Sequence, residues 1–269
     1  MQRRRIGLIG FGAIAKAAVA AVQGDPDCAN IEIAAVLLRP GREPTGPLPS
    51  GCRVVHDVAD LVELAPCGIF ECAGHEAVKT HGQEVLAASR NLSLISIGVL
   101  TDTAFLRVLK ETAAARGVQL SILAGAIPGV EALAAARLAG LERVVHTVTK
   151  PPISWRGTLA EDALDLEGMD GATVIYDGSA HGAASRFPNN ANSTAAIALA
   201  GIGFENTRTV LIADPSINRN VHRLEVQGDF GTMLMEVEGR SLPGHPKTSS
   251  LAALSVARAM KIQCGAIAI

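Results

Sequence analysis

The segment Ile6-Gly7-Leu8-Ile9-Gly10-Phe11-Gly12-Ala13-Ile14-Ala15 constrains the fold of this chain more than any other. An apolar run that reads as a strand enters a G-x-G-x-x-A loop, and a helical pattern follows at once. Gly10 permits a tight turn, Gly12 lets a bound group approach the backbone, and the small Ala15 lets the helix pack closely on the strand. The first turn of that helix offers N–H groups with no intrahelical partner, an arrangement suited to phosphate. Glycines also serve ordinary turns, so the weight comes from the strand before the loop and the helix after it. The pattern implies a dinucleotide site, with Gly10, Phe11, Gly12, Ala13 and Ile14 along its phosphates.

The same rhythm continues. Short apolar or β-branched runs at residues 5–9, 31–38, 53–55, 68–72, 92–97 and 118–123 read as strands. Helical spacing fills 13–23, 58–64, 76–89 and 103–116, so βαβ units and a parallel sheet covered on both faces are expected. Residues 39–51 hold four prolines and three glycines and read as a surface loop. Beyond a helix at 130–141 the pattern changes to alternating strands at 143–150, 172–176, 207–213, 221–227 and 232–237, the mark of an antiparallel layer. A helix at about 248–263 follows. The reading is therefore α/β: a doubly wound parallel sheet in residues 1–129, then an α+β domain with a largely antiparallel sheet in residues 130–245. The C-terminal helix, about 246–269, is expected to pack back on the first domain.

Composition narrows the function classes. Of 269 residues 48% are hydrophobic, and 24 Lys plus Arg nearly balance 26 Asp plus Glu for a net charge of -2. This argues against disorder and against a polyanion-binding surface. Aromatics are 3% of the chain, too few for base-stacking platforms, so nucleic acid is not expected as a partner. Apolar stretches fall short of the roughly 20 residues of a membrane span, and the basic start leads straight into a strand without the apolar core of a signal peptide. A cytoplasmic protein is expected. Cys28, Cys52, Cys67, Cys72 and Cys264 form no C-x-x-C pair and read as reduced thiols, with no metal site.

Two further loops follow parallel strands at their carboxyl ends, where open α/β sheets bind ligands. They are Glu71-Cys72-Ala73-Gly74-His75 and Leu123-Ala124-Gly125-Ala126-Ile127-Pro128-Gly129. Cys72, Ala73, Gly74 and Ala124 would leave room for a nicotinamide ribose, although ordinary glycine turns read the same way. At the end of the second strand an NAD-selective site usually carries Asp or Glu, and Leu37-Leu38-Arg39 stands there instead. Arg39 can stack on adenine or meet a 2′-phosphate, which implies that NADP is accepted alongside NAD; it reads equally as a solvated loop residue.

In the second half, Phe187-Pro188-Asn189-Asn190-Ala191-Asn192-Ser193-Thr194 precedes an apolar helix. One Asn can serve as N-cap, and three in four residues exceed that need; Asn190, Asn192 and Ser193 are neutral donors for a carboxamide or carboxylate. His222 opens a strand and is suited to proton transfer near neutral pH, with His75, His146, His181 and His245 as competitors. Lys150, before Pro151-Pro152, is either a positioned ammonium or a snorkelling surface lysine.

These motifs occur in one order: Gly10 to Ala15, Cys72 to His75, Ala124 to Glu131, Lys150-Pro151-Pro152, Phe187 to Thr194, Ile212-Ala213-Asp214-Pro215 and Pro246-Lys247-Thr248-Ser249. Together they resemble the L-aspartate dehydrogenase family over essentially the whole chain. The resemblance implies a Rossmann-type domain plus an α/β domain whose sheet mediates dimerisation, and a homodimer. It implies oxidation of L-aspartate to iminoaspartate with NAD or NADP, the product feeding NAD synthesis or hydrolysing to oxaloacetate and ammonia. It puts the catalytic histidine at His222 and nucleotide contacts at Ala124 and Asn190. A dicarboxylate needs a cation, with Lys150 or Arg156 as candidates beside Asn192 and Ser193. Rival readings are a homoserine- or sugar-type dehydrogenase, a semialdehyde-type enzyme using Cys72 as nucleophile, and a non-catalytic NAD(P)-sensing regulator.

Overall fold

The computed structural model describes residues 3–65, 67–127, 129–188 and 191–264. The chain divides into two compact units, Met1–Gly125 with Ala252–Ile269, and Ala126–Leu251.

The first unit contains β1 (Arg4–Ile9), α1 (Ala13–Gln23), β2 (Ile31–Leu37), β3 (Arg53–Val55), α2 (Val58–Leu64), β4 (Ile69–Glu71), α3 (His75–Ala87), β5 (Leu92–Leu94), α4 (Thr103–Arg116) and β6 (Leu120–Ile122). The strands are parallel in the order β3-β2-β1-β4-β5-β6. β1 lies at the centre, flanked by strands on both edges, and Ile6, Leu8 and Ile9 are buried because helices cover the two faces of the sheet. Chain direction across the sheet reverses at β1, and this switch point opens a crevice at the carboxyl ends of β1, β2 and β4. Helix starts follow local chemistry: Asp57 accepts from the Ala59 N–H at 2.6 Å to cap α2, and Asp102 accepts from Phe105 at 3.0 Å to cap α4. The fifth strand is shorter than the sequence pattern suggests, because residues 97–101 turn into a 3-10 helix.

The second unit contains α5 (Val130–Ala136), β7 (Leu141–Lys150), α6 (Leu159–Ala163), β8 (Thr173–Ser179), α7 (Ala180–Arg186), α8 (Ala191–Ala200), β9 (Arg208–Ala213), β10 (Asn220–Gly228), β11 (Gly231–Gly239) and the short ladder of β12 (Ser241–Leu242) and β13 (His245–Ser249). Its main sheet runs β11-β10-β7-β9-β8. Three pairings are antiparallel, and β7–β9 is parallel. That parallel pair departs from the purely alternating pattern, since α6, β8, α7 and α8 lie between the two strands in the chain and supply the crossover. The helix expected at 130–141 stops at Ala136, continues as a 3-10 turn to Ala139, and ends at Gly140 with φ 104.

The last helix, α9 (Ser250–Cys264), begins later than the sequence pattern suggests because residues 245–249 form β13. Val256, Ala257 and Met260 join Ile6, Leu8, Val19 and Phe70 in the core of the first unit. Gln263 donates to the Cys67 carbonyl at 2.6 Å, and the Ser255 hydroxyl accepts from the Gly125 N–H at 3.2 Å. Lys261 reaches Asp25 and Asp27 at 2.6 and 3.1 Å. Those ion pairs are half-exposed, so the apolar contacts carry most of the docking energy.

Candidate active site

At the switch point of the first unit a cavity of about 680 Å³ is lined by residues from three strand ends. Gly10, Phe11 and Gly12 follow β1, Leu38 and Arg39 follow β2, and Cys72 and Ala73 follow β4. Gly10 has φ 83, and a Cβ on it would stand 2.6 Å from the Ala73 Cβ, so the two loops touch only because residue 10 lacks a side chain. A Cβ on Gly12 would meet nothing within 4 Å: the backbone there faces open space. Gly12 caps α1 with no side-chain hydrogen bond, and no acidic residue occupies the first turn. Open backbone and free N–H groups at a helix start without an acidic residue fit a dinucleotide's pyrophosphate, although Glu43 and Glu76 line the cavity elsewhere.

The loop after β4 is held from below. Glu71 is fully buried, and its Oε1 accepts from the N–H groups of Ala73 at 2.6 Å and Gly74 at 2.7 Å and from the Ser96 hydroxyl at 2.9 Å. Its Oε2 accepts from the Ser96 N–H at 3.1 Å. Burial pushes the carboxyl pKa up, and these donors pull it back. One side chain thus fixes the Cys72-Ala73-Gly74 turn and ties it to the segment after β5. Burial, with Glu71 beside it, pushes the Cys72 thiol pKa well up, which disfavours the thiolate that a nucleophile requires.

Ala13 and Ile14 form the first turn of α1 without lining the cavity, and Ile14 packs against the core. Ala124 is half-buried after β6. Asn190 lies outside the described residues. Arg39 is exposed at the cavity rim, where Arg42 and His56 also line the wall. His56 Nδ1 is 2.9 Å from the Leu38 carbonyl.

In the second unit His146, Val148 and Lys150 alternate along β7 and so share one face of the sheet. Antiparallel register sets His222 opposite Val148 and Leu224 opposite His146, which brings His222 to the same face. His146 is fully buried and His222 is 8% exposed. His146 Nε2 lies 3.3 Å from His222 Nδ1, and Thr194 Oγ1, in α8, lies 3.5 Å from His146 Nδ1. Burial, with Lys150 nearby, pushes the His222 pKa down to about 3, and burial together with His222 and Lys150 lowers that of His146 well below its usual value. Both rings are therefore neutral at neutral pH. The Lys150 ammonium sits 5.6 Å from the centre of the Trp155 ring, and burial brings its pKa down to about 8. Of the two candidate cations Lys150 lies beside His222, whereas Arg156 turns to an ion pair with Glu167. Asn192 is exposed and Ser193 half-buried in the first turn of α8, immediately before Thr194.

Residues 131–263 match the family described as aspartate dehydrogenase, C-terminal, and residues 10–122 match the NAD-binding domain of homoserine dehydrogenase. The chain is 40% identical to the L-aspartate dehydrogenase of Acinetobacter baumannii over 266 residues, covering 99% of this chain and all of that one. It is 38% identical to the L-aspartate dehydrogenase of Ruegeria pomeroyi over 98% of its length and 94% of the relative's. The chain belongs to the L-aspartate dehydrogenase family. Its fold matches the crystal structure of aspartate dehydrogenase from Thermotoga maritima with a TM-score of 0.78 over both full lengths, at 23% identity. As a member of the L-aspartate dehydrogenase family it is an NAD(P)-dependent oxidoreductase, with a parallel nucleotide-binding sheet and a second, mixed sheet.

Sequence reading did not single out Glu71 or Thr194, although both stand inside quoted motifs, and it ranked His146 only as a competitor of His222. Glu71 carried a local signal, an acid in an otherwise apolar strand end. Thr194 and His146 carried none, since their meeting depends on strand register and helix packing.

Proposed function

We propose that this chain oxidises L-aspartate to iminoaspartate with NAD or NADP as electron acceptor. The observation that carries the reading is the buried, neutral His222 beside the Lys150 ammonium on one sheet face, in a chain that shares 40% identity with L-aspartate dehydrogenases over its whole length. An amine can be oxidised only once its nitrogen is neutral, so a base must take a proton from the substrate ammonium; His222 takes that role. Lys150 supplies positive charge for a carboxylate, with Asn192 and Ser193 as neutral donors. The nicotinamide, when bound, supplies the two-electron acceptor.

For the coenzyme, Gly10, Phe11, Gly12, Ala13 and Ile14 hold the pyrophosphate. Cys72, Ala73, Gly74 and Ala124 serve the nicotinamide half, and the family resemblance adds Asn190, which lies outside the described residues. Arg39 meets the adenosine end, where its charge favours a 2′-phosphate and admits NADP. The imine either enters a following biosynthetic step toward NAD or hydrolyses to oxaloacetate and ammonia. The protein works in the cytoplasm as a homodimer. Support for the dimer comes from the main sheet of the second unit, where helices cover the face bearing His146, while the opposite face carries the exposed Leu234 and Val174.

The test is nicotinamide absorbance during incubation with L-aspartate, and in reverse with oxaloacetate and ammonia, using each coenzyme separately. Reduction with L-aspartate alone among amino acids and hydroxy acids is expected. Turnover of homoserine or a sugar in its place, or coenzyme binding with no turnover in either direction, would sink the reading.

A further inference from the structure

We infer that His146 is a positioning residue for the proton transfer: it binds the inner nitrogen of His222 and thereby decides which nitrogen of that ring meets the substrate. The inference rests on the reading of His222 as the base.

The geometry of the pair is specific. The ring planes lie within 10° of each other, with centroids 5.5 Å apart and the facing nitrogens at 3.3 Å. A centroid separation of this size is close to the largest that such an N···N contact allows, so both nitrogens lie near the line joining the ring centres. The rings are thus set edge to edge rather than face to face, and a proton on that line points from the nitrogen that carries it to the lone pair of the other. A neutral imidazole has one donor nitrogen and one acceptor nitrogen, so each hydrogen bond dictates the next.

The chain Thr194–His146–His222 then has two consistent settings. In one, His146 Nδ1–H donates to Thr194 Oγ1 and His222 Nδ1–H donates to His146 Nε2, which leaves the His222 Nε2 lone pair as the base. In the other, the Thr194 hydroxyl donates to His146 Nδ1 and His146 Nε2–H donates to His222 Nδ1, so that His222 Nε2–H is an acid. Oxidation uses the first setting: an N–H bond of the substrate ammonium breaks, an N–H bond forms at His222 Nε2, and the positive charge spreads toward His146 through the shared Nδ1 proton.

Among the described residues, the charged or titratable groups that bear on His146 are His222 and Lys150, and on His222 they are His146 and Lys150. Among the described residues, the strand partners and the hydrogen-bond partner that other elements present to the two rings are uncharged: Thr209 from β9, paired with His146, Thr194 from α8, and Val237 from β11, paired with His222. A histidine therefore stands where a carboxylate could orient the ring, and it does so without adding negative charge that would hold the imidazolium.

The test combines ¹⁵N NMR of the imidazole nitrogens in the intact protein with three variants. In the wild type His222 is expected to carry its proton on Nδ1 and none on Nε2. His146→Leu should lower kcat about 10- to 100-fold and shift its pH profile while leaving the aspartate KM within about threefold. His146→Gln, whose amide oxygen can accept the same N–H, should recover most of the rate. A protonated Nε2 in the wild type, an unchanged kcat and pH profile in His146→Leu, or equal losses in the Leu and Gln variants would overturn the proposal. If His146→Leu does not fold, the wild-type spectrum and the Gln variant decide it. The parent reading is checked separately: near-normal kcat in His222→Ala removes the base, whereas the tautomer measurement reports on the pair alone.

Discussion

The two units build their sites from opposite materials. In the first, the cavity exists where side chains are missing: Gly10 admits Ala73, Gly12 faces open space, and Glu71 beneath spends its oxygens on three backbone N–H groups and the Ser96 hydroxyl. In the second, three side chains from β7, α8 and β10, separated by 48 and 76 residues from His146, form one hydrogen-bonded line. A site made of backbone tolerates change as long as residues stay small. A site made of side chains depends on strand register, because a slip of one residue in β10 would turn His222 to the opposite face of the sheet.

The largest effect expected is on the side-chain site. His222→Ala should lower kcat by about 10²- to 10⁴-fold with coenzyme affinity unchanged, as read by turnover and coenzyme titration; a parallel loss of coenzyme affinity would mean that the two sites are not separable. Next comes Glu71→Ala, which leaves two buried donors of Ser96 and two part-buried N–H groups without their acceptor and should cost about 3 kcal/mol of stability in denaturant unfolding, together with weaker coenzyme binding. Gly10→Ala should weaken coenzyme binding roughly tenfold while leaving kcat at saturation nearly intact, because the added Cβ at φ 83 pushes on Ala73 within the coenzyme loops.

Smaller effects concern charge. The depressed pKa of Lys150 means that its ammonium loses its proton as pH rises through about 8, so the aspartate KM should climb above that pH. Lys150→Arg should move this alkaline limb upward, since a guanidinium stays charged; a limb that stays in place assigns it to another group. Smallest is Arg39→Ala, which should raise the NADP KM about threefold to tenfold and leave the NAD KM unchanged. Equal changes for both coenzymes would make Arg39 a stacking residue instead.

The same contrast explains what could be read from the sequence. Glycine loops, helix starts and the parallel strands of the first unit are local, so a few adjacent residues announce them. Gly10, Gly12 and Ala15 are announced by one short strand-loop-helix pattern, even though Gly10 also makes room for Ala73, which lies far along the chain. His222 stood out because of its family segment, while its partner His146 did not, since nothing in Val144-Val145-His146-Thr147 indicates that a helix 48 residues later and a strand 76 residues later will meet it. The parallel β7–β9 pair was hidden for the same reason: alternation reveals a half-buried strand and not the direction of its neighbour.

The ammonium of Lys150 lies over the ring of Trp155, which is fully buried and is the one tryptophan in the chain. An indole whose neighbouring charge changes alters its emission. This protein thus carries its own optical probe, and a carboxylate arriving at Lys150, or a proton leaving it, should register in the tryptophan fluorescence without any label.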